Sequence, residues 1–170
     1  LGCISLNDVT LPSGLTCIPD AMFSGCTSLE SISIPDSVTE IRSSAFNGCG
    51  LTSLELPDGL IQIRELAFEN CHSLTHLTIP ASVTYIGYLS FAGCENLTSI
   101  EFLGDAPAIE YDSFTNVNAT IVVPEDNDTW NGDTMQSYGG NLNWVVRGEI
   151  VDLELRSVPD NTFLLVGEEL

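Results

Sequence analysis

Apolar residues recur along this chain in three blocks that repeat about every 23 residues. The first block comprises Leu6 to Leu11, Leu29 to Ile34, Leu51 to Leu56, Leu74 to Ile79 and Leu97 to Phe102. Alternation over the last four residues of each predicts a strand with one buried face. A proline follows in most units and ends the pairing, because it has no N–H to donate. The second block is a shorter extended piece: Leu15 to Ile18, Val38 to Ile41, Leu60 to Ile63 and Val83 to Ile86. Five residues after its last isoleucine stands a phenylalanine, placed on a tight turn or a single helical turn.

The register of these blocks is strict. Phe23, Phe46, Phe68, Phe91 and Phe114 are spaced 23, 22, 23 and 23 apart, and Pro12, Pro35, Pro57 and Pro80 follow 23, 22 and 23. Cys3, Cys26, Cys49, Cys71 and Cys94 keep the same rhythm, and the shared 22-residue step has one origin. In the Cys49 turn, Cys49-Gly50-Leu51 replaces Cys26-Thr27-Ser28-Leu29. A repeat of this length cannot bury its Leu, Ile, Val and Phe alone, so each unit is one coil that stacks on its neighbours. Gly25, Gly48 and Gly93 precede the cysteines, where a turn with positive φ suits glycine. The expected architecture is a right-handed, β-rich solenoid of about five repeats, with a parallel sheet and short turns.

The unit Leu-x-x-Ile-x-Ile-Pro, Val-x-x-Ile, Ala-Phe-x-x-Cys resembles the BspA-like leucine-rich repeat, from Leu1 to about Phe114. The resemblance implies a solenoid of the α/β-horseshoe class on secreted or surface-anchored bacterial proteins, often linked to adhesion. Gly104-Asp105-Ala106-Pro107, Ile121-Val122-Val123-Pro124, Trp130 and Tyr138-Gly139-Gly140 resemble the cap that usually closes such repeats. The expected domain is therefore residues 1–146, with repeats over 1–102 and a cap over 103–146. Ser157-Val158-Pro159 and Phe163 to Leu170 resemble the opening strand of a bacterial immunoglobulin-like domain, so 147–170 is expected to be that strand or a linker. The first residues carry neither a charged nor an apolar leader segment, so the chain is expected to be a mature or excised fragment whose export signal lies upstream or has been removed.

Charge narrows the partners. Twenty-four acidic residues against four basic give a net charge of −20, a surface that repels nucleic acid and anionic lipid. No apolar run is long enough to span a membrane, so direct membrane insertion is not expected. Six cysteines in an exported chain would ordinarily suggest disulfides. Five of them instead occupy one position in successive coils, about 4.8 Å apart. In-register side chains point the same way, which leaves their Cβ atoms farther apart than a bridge prefers. They are expected to be buried reduced thiols acting as small hydrophobes, and Val117 takes the same place in the sixth coil. Cys17 shares a position with Glu40, Gln62 and Tyr85 and is expected to be an exposed thiol able to pair with another chain.

Catalytic and metal chemistry find little support. His72 and His76 flank Cys71, but a buried ladder cysteine and divergent side chains suit neither a nucleophile pair nor zinc. Glu125, Asp126, Asn127, Asp128, Asn131, Gly132 and Asp133 suggest a calcium loop, yet Trp130 stands where a ligand should be; Trp130 is expected to close the last coil. No phosphate-binding glycine loop or nucleophile elbow occurs. Asn96, Asn118 and Asn127 open glycosylation sequons, relevant only in a eukaryotic source. No catalytic residue, metal or cofactor is expected.

The remaining candidate is the outward face of the main sheet: Asp8, Thr10, Ser31, Ser33, Ser53, Glu55, His76, Thr78, Ser99 and Glu101. Solenoids present such ladders as extended binding surfaces. An extracellular protein or glycan is the expected partner; an architectural spacer, or an accessory region of an enzyme outside this chain, are the alternatives. The first coil, Leu1 to Leu11, lacks a cap, so edge-to-edge self-association is expected there.

Overall fold

The computed structural model describes residues 2–148. Its elements are β1 (Cys17–Ile18), β2 (Glu40–Ile41), β3 (Gln62–Ile63), β4 (His76–Ile79), β5 (Tyr85–Ile86), β6 (Ser99–Phe102), β7 (Ala108–Ile109), β8 (Asn118–Val123) and β9 (Asn141–Val146). They form two parallel sheets on different sides of one solenoid: β1-β2-β3-β5-β7 and β4-β6-β8-β9. Each strand of a sheet comes from a successive coil, as coil-on-coil stacking requires. The short sheet keeps a constant register, Cys17 beside Glu40, Gln62, Tyr85 and Ala108 in turn.

The five phenylalanines form a continuous column. Adjacent rings lie 5.2–5.4 Å apart at 3–17°, and all five are buried. The turn carrying them is not helical. Backbone N–H groups of Phe23, Phe46, Phe68 and Phe91 donate to Ala45, Ala67, Ser90 and Ser113 of the next coil, so they are unavailable for the bonding of a helical turn. The glycine expectation holds: φ is 72°, 66° and 73° at Gly25, Gly48 and Gly93, with Asn70 and Asn116 at 59° and 63° in the equivalent places. Asparagine is among the few other residues that tolerate this region.

The cysteines behave as expected except at one end. Cys26, Cys49, Cys71 and Cys94 are buried and none of the six is bridged. Each of three thiols also donates to a phenylalanine carbonyl one coil back: Cys49 to Phe23 (2.9 Å), Cys71 to Phe46 (3.1 Å) and Cys94 to Phe68 (3.1 Å). Cys3 is exposed instead; among the described residues its coil has a neighbour on one side. Gly50 explains how one coil is a residue shorter: a Cβ there would lie 2.1 Å from the Thr27 carbonyl oxygen. Deletion draws the backbones together, and only glycine fits.

The main sheet departs from expectation. Leu29, Ile32, Ile34, Leu51 and Leu54 are buried as the alternation demands, yet their segments are not assigned to strands and β4 has only β6 beside it. Regular pairing is most extensive at the opposite end, where β8 and β9 match over six consecutive residues. Burial follows side-chain pattern, whereas strand pairing also needs neighbouring backbones in register.

Over the stretch expected to close the solenoid, the coil pattern first continues through β7, Phe114 and β8. Trp130 then covers the core, 7% exposed, with its ring 4.8 Å from Phe102 and Nε1 donating to Gly104 O at 2.9 Å. Trp144 packs 5.6 Å from Trp130. Residues 149–170, with most of the expected linker or immunoglobulin-like strand, lie outside the described residues. Among the described residues no helix is long and apolar enough to cross a membrane.

Candidate functional site

Strand alternation projects every second side chain of the main sheet outward. His76, Ser99, Thr120 and Asn143 form one registered column, and Thr78, Glu101, Val122 and Val145 the next. Thr120, Asn143, Val122 and Val145 extend the columns beyond the positions named from sequence. Asp8, Thr10, Ser31, Ser33, Ser53, Glu55, His76, Thr78 and Ser99 are exposed, and Glu101 is half-buried against Arg147. The structure thus unites His76, Thr78, Ser99 and Glu101 on one hydrogen-bonded surface, while Ser31, Ser33, Ser53 and Glu55 sit beside it on segments joined by the Thr52 N–H donating to Glu30 O at 3.0 Å. Between the two parts lies an open groove of ≈ 440 Å³, lined by Ser53, Glu55, Asp58, His76, Thr78 and the 42%-exposed Leu103. These hydroxyls and carboxylates can accept and donate hydrogen bonds to a flat partner. The His76 ring Nδ1 is engaged by Thr75 Oγ1 at 2.8 Å.

Metal ligation has no home among the described residues, where no group of three His, Cys, Asp or Glu converges. Cys71 is buried and donates to Phe46, while His72 is exposed. The 125–133 loop turns its amide oxygens onto itself: Asn127 Oδ1 accepts from Thr129 N, and Asn131 Oδ1 from Asp133 N.

A second cluster, not foreseen from sequence, lies on the short sheet. Glu40 accepts from Arg64 Nε at 2.7 Å and Arg42 Nε at 3.0 Å. Those two bonds hold its carboxyl below the usual glutamate value, and the same carboxylate raises both guanidinium values. The Glu65 carboxyl is lowered as well, by a hydrogen bond from its own backbone and then by Ser43 Oγ donating at 2.9 Å. These residues and Asp20 line an open cleft of ≈ 390 Å³. One coil further, the Arg64 guanidinium stands 5.8 Å from the Tyr85 ring centre. Burial, with Glu110 and Glu65 nearby, pushes the Tyr85 phenol up. Tyr88 and Tyr111 follow, ring centres 4.9 Å apart at 48°, with Tyr111 68% exposed. Cys17, expected to be exposed, is half-buried and unbridged on the same sheet. The signal was present in the repeat offset: Asp20, Ser43, Glu65, Tyr88 and Tyr111 share one position in successive coils. Reading only the strand columns passed over it.

Comparison with known proteins agrees with this geometry. Residues 1–120 match the BspA type leucine rich repeat region in six copies. A leucine-rich repeat protein from Bacteroides ovatus has a similar structure, with 33% identity over 72% of this chain and a TM-score of 0.63. The pneumococcal vaccine antigen PcpA, 19% identical over 82% of the chain with a TM-score of 0.62, shares the fold. The chain spans 34% and 42% of the lengths of those two proteins. No curated protein sequence matches.

Proposed function

Because the chain belongs to the BspA-type leucine-rich repeat family, we propose that it is an extracellular interaction module of a bacterial surface protein. It binds a protein or glycan through the outward face of its solenoid and performs no catalytic step. The observation carrying this reading is the registered pair of columns on the main sheet. His76, Ser99, Thr120 and Asn143 are exposed along four parallel strands, next to a groove of ≈ 440 Å³. Most apolar side chains of each coil are taken up by stacking, so recognition falls to the exposed positions, Leu103 among them. The test is an array of extracellular-matrix proteins and glycans, probed with the whole parent protein and with Thr78→Arg and Ser99→Arg variants. Binding by wild type and at least tenfold weaker binding by the variants is expected. Equal binding by both would refute the face, and no binding by the wild type would refute the module. The spacer reading draws on one feature, the small polar side chains at Ser31, Ser33, Ser53 and Ser99, which offer no large anchor.

A further inference from the structure

We propose that the tyrosine flank of the short sheet, Tyr88 and Tyr111 with Glu110, is a docking site for an arginine-bearing segment of a partner protein. The inference rests on the interaction-module reading and moves the contact to a different face. It starts from a substitution within the repeat. Arg42 and Arg64 donate their backbone N–H to Ile18 and Ile41, while Gly87 and Glu110 donate to Ile63 and Ile86. The four residues are therefore structural equivalents. In the earlier coils this position carries a guanidinium; in the later coils it carries no side chain and then a carboxylate.

The tyrosines enter where the arginines stop. Equivalents of Tyr88 and Tyr111 in earlier coils are Ser43 and Glu65, which sit beside Arg42 and Arg64. What a guanidinium does against this surface is already visible one step back, where Arg64 lies over the Tyr85 ring and binds Glu40. Tyr111 offers an exposed aromatic face backed by the half-buried Tyr88, with Glu110, which also meets the Tyr85 hydroxyl, and Asp112 flanking it in sequence, but their own coils supply no arginine. A planar cation is attracted to a tyrosine face and to a carboxylate edge together.

Charge complementarity favours the same occupant. The chain has no lysine and a net charge of −20. Arg42, Arg64 and Arg147, the arginines among the described residues, are each already bound to a carboxylate. A cationic partner is steered toward such a surface, and Tyr111, the most exposed of the large apolar and aromatic side chains there, gives it a rigid anchor.

The probe is a fluorescein-labelled eight-residue peptide of alternating arginine and serine, with citrulline–serine and glutamate–serine peptides as controls. Binding is measured by fluorescence anisotropy to the intact chain at 150 mM salt. Wild type is expected to bind the arginine peptide and neither control. Tyr88→Ala/Tyr111→Ala, which leaves the charge intact, should weaken binding about five- to tenfold, and Tyr111→Phe, which keeps the ring, should retain it. Unchanged melting by circular dichroism separates lost binding from lost folding. Equal binding by the double variant would mean diffuse attraction to an acidic surface and would overturn the proposal. So would a neutral oligosaccharide that binds in a Tyr111-dependent way when the arginine peptide does not. If array partners respond to Thr78→Arg but not to Tyr88→Ala/Tyr111→Ala, the docking site fails while the module reading stands.

Discussion

Removing one ring from the middle of the phenylalanine column tests the stacking principle most directly. Phe68 is fully buried, with Phe46 5.2 Å away at 3° and Phe91 5.3 Å away at 5°. Phe68→Ala therefore loses packing on both sides, and the cost should fall near the top of the ~3–5 kcal/mol usual for a buried aromatic. Phe23 has a ring on one side only and is 4% exposed. Since an aromatic pair contributes ~0.5–1.5 kcal/mol beyond burial, Phe23→Ala should cost about that much less than Phe68→Ala. The assay is equilibrium urea unfolding with two probes. Far-ultraviolet circular dichroism follows all coils, and Trp130 and Trp144 fluorescence follows the closed end. Coupled nearest-neighbour coils predict that loss of Phe68 lowers both midpoints, whereas loss of Phe23 lowers the first more than the second. Equal costs for the two variants, or a cost below about 1 kcal/mol for Phe68→Ala, would refute a shared column as the source of stability.

Other predictions address single positions. Gly50→Ala should destabilise by ~1–3 kcal/mol, since its Cβ would meet the Thr27 carbonyl oxygen at 2.1 Å; Gly14→Ala, with open space around it, is the control, and equal melting of the two would contradict the steric argument. Ser90→Ala should stabilise by ~1 kcal/mol or more, because the Ser90 hydroxyl is buried without a hydrogen-bond partner and Ala45 and Ala67 fill the equivalent place; a lower melting temperature would count against this. In the native state a thiol reagent should label Cys3 and Cys17 quickly and spare Cys26, Cys49, Cys71 and Cys94, where burial pushes the Cys49 and Cys94 thiols up to about 12; fast labelling of all six would show that the core is open. Glu40 has its folded value lowered by Arg64 and Arg42, so its contribution is present above the unfolded value near 4.5 and fades as pH falls through the lower folded value. Glu40→Gln should accordingly be slightly less stable than wild type at pH 7, and the difference should shrink as pH falls below about 4.5, as read by thermal melts; a difference that grows on acidification would break the assignment.

The repeat by itself determined the coil length, the buried column of phenylalanines, the reduced cysteine ladder and the glycine turns. Each of these follows from periodicity: a residue that recurs at one phase must meet its own copy in the next coil, and that copy is the nearest available apolar surface. Main-sheet strand pairing was decided only in three dimensions. The alternation around Leu29 to Ile34 and Leu51 to Leu56 buries the right side chains, yet the assigned main-sheet strands are β4, β6, β8 and β9, because backbone register depends on how neighbouring coils sit. Tertiary structure also assembled the Arg42–Glu40–Arg64 bridge and the Tyr88–Tyr111 pair. Arg64 follows Glu40 by 24 residues and Tyr111 follows Tyr88 by 23, so coil-on-coil stacking is what brings each set onto one surface.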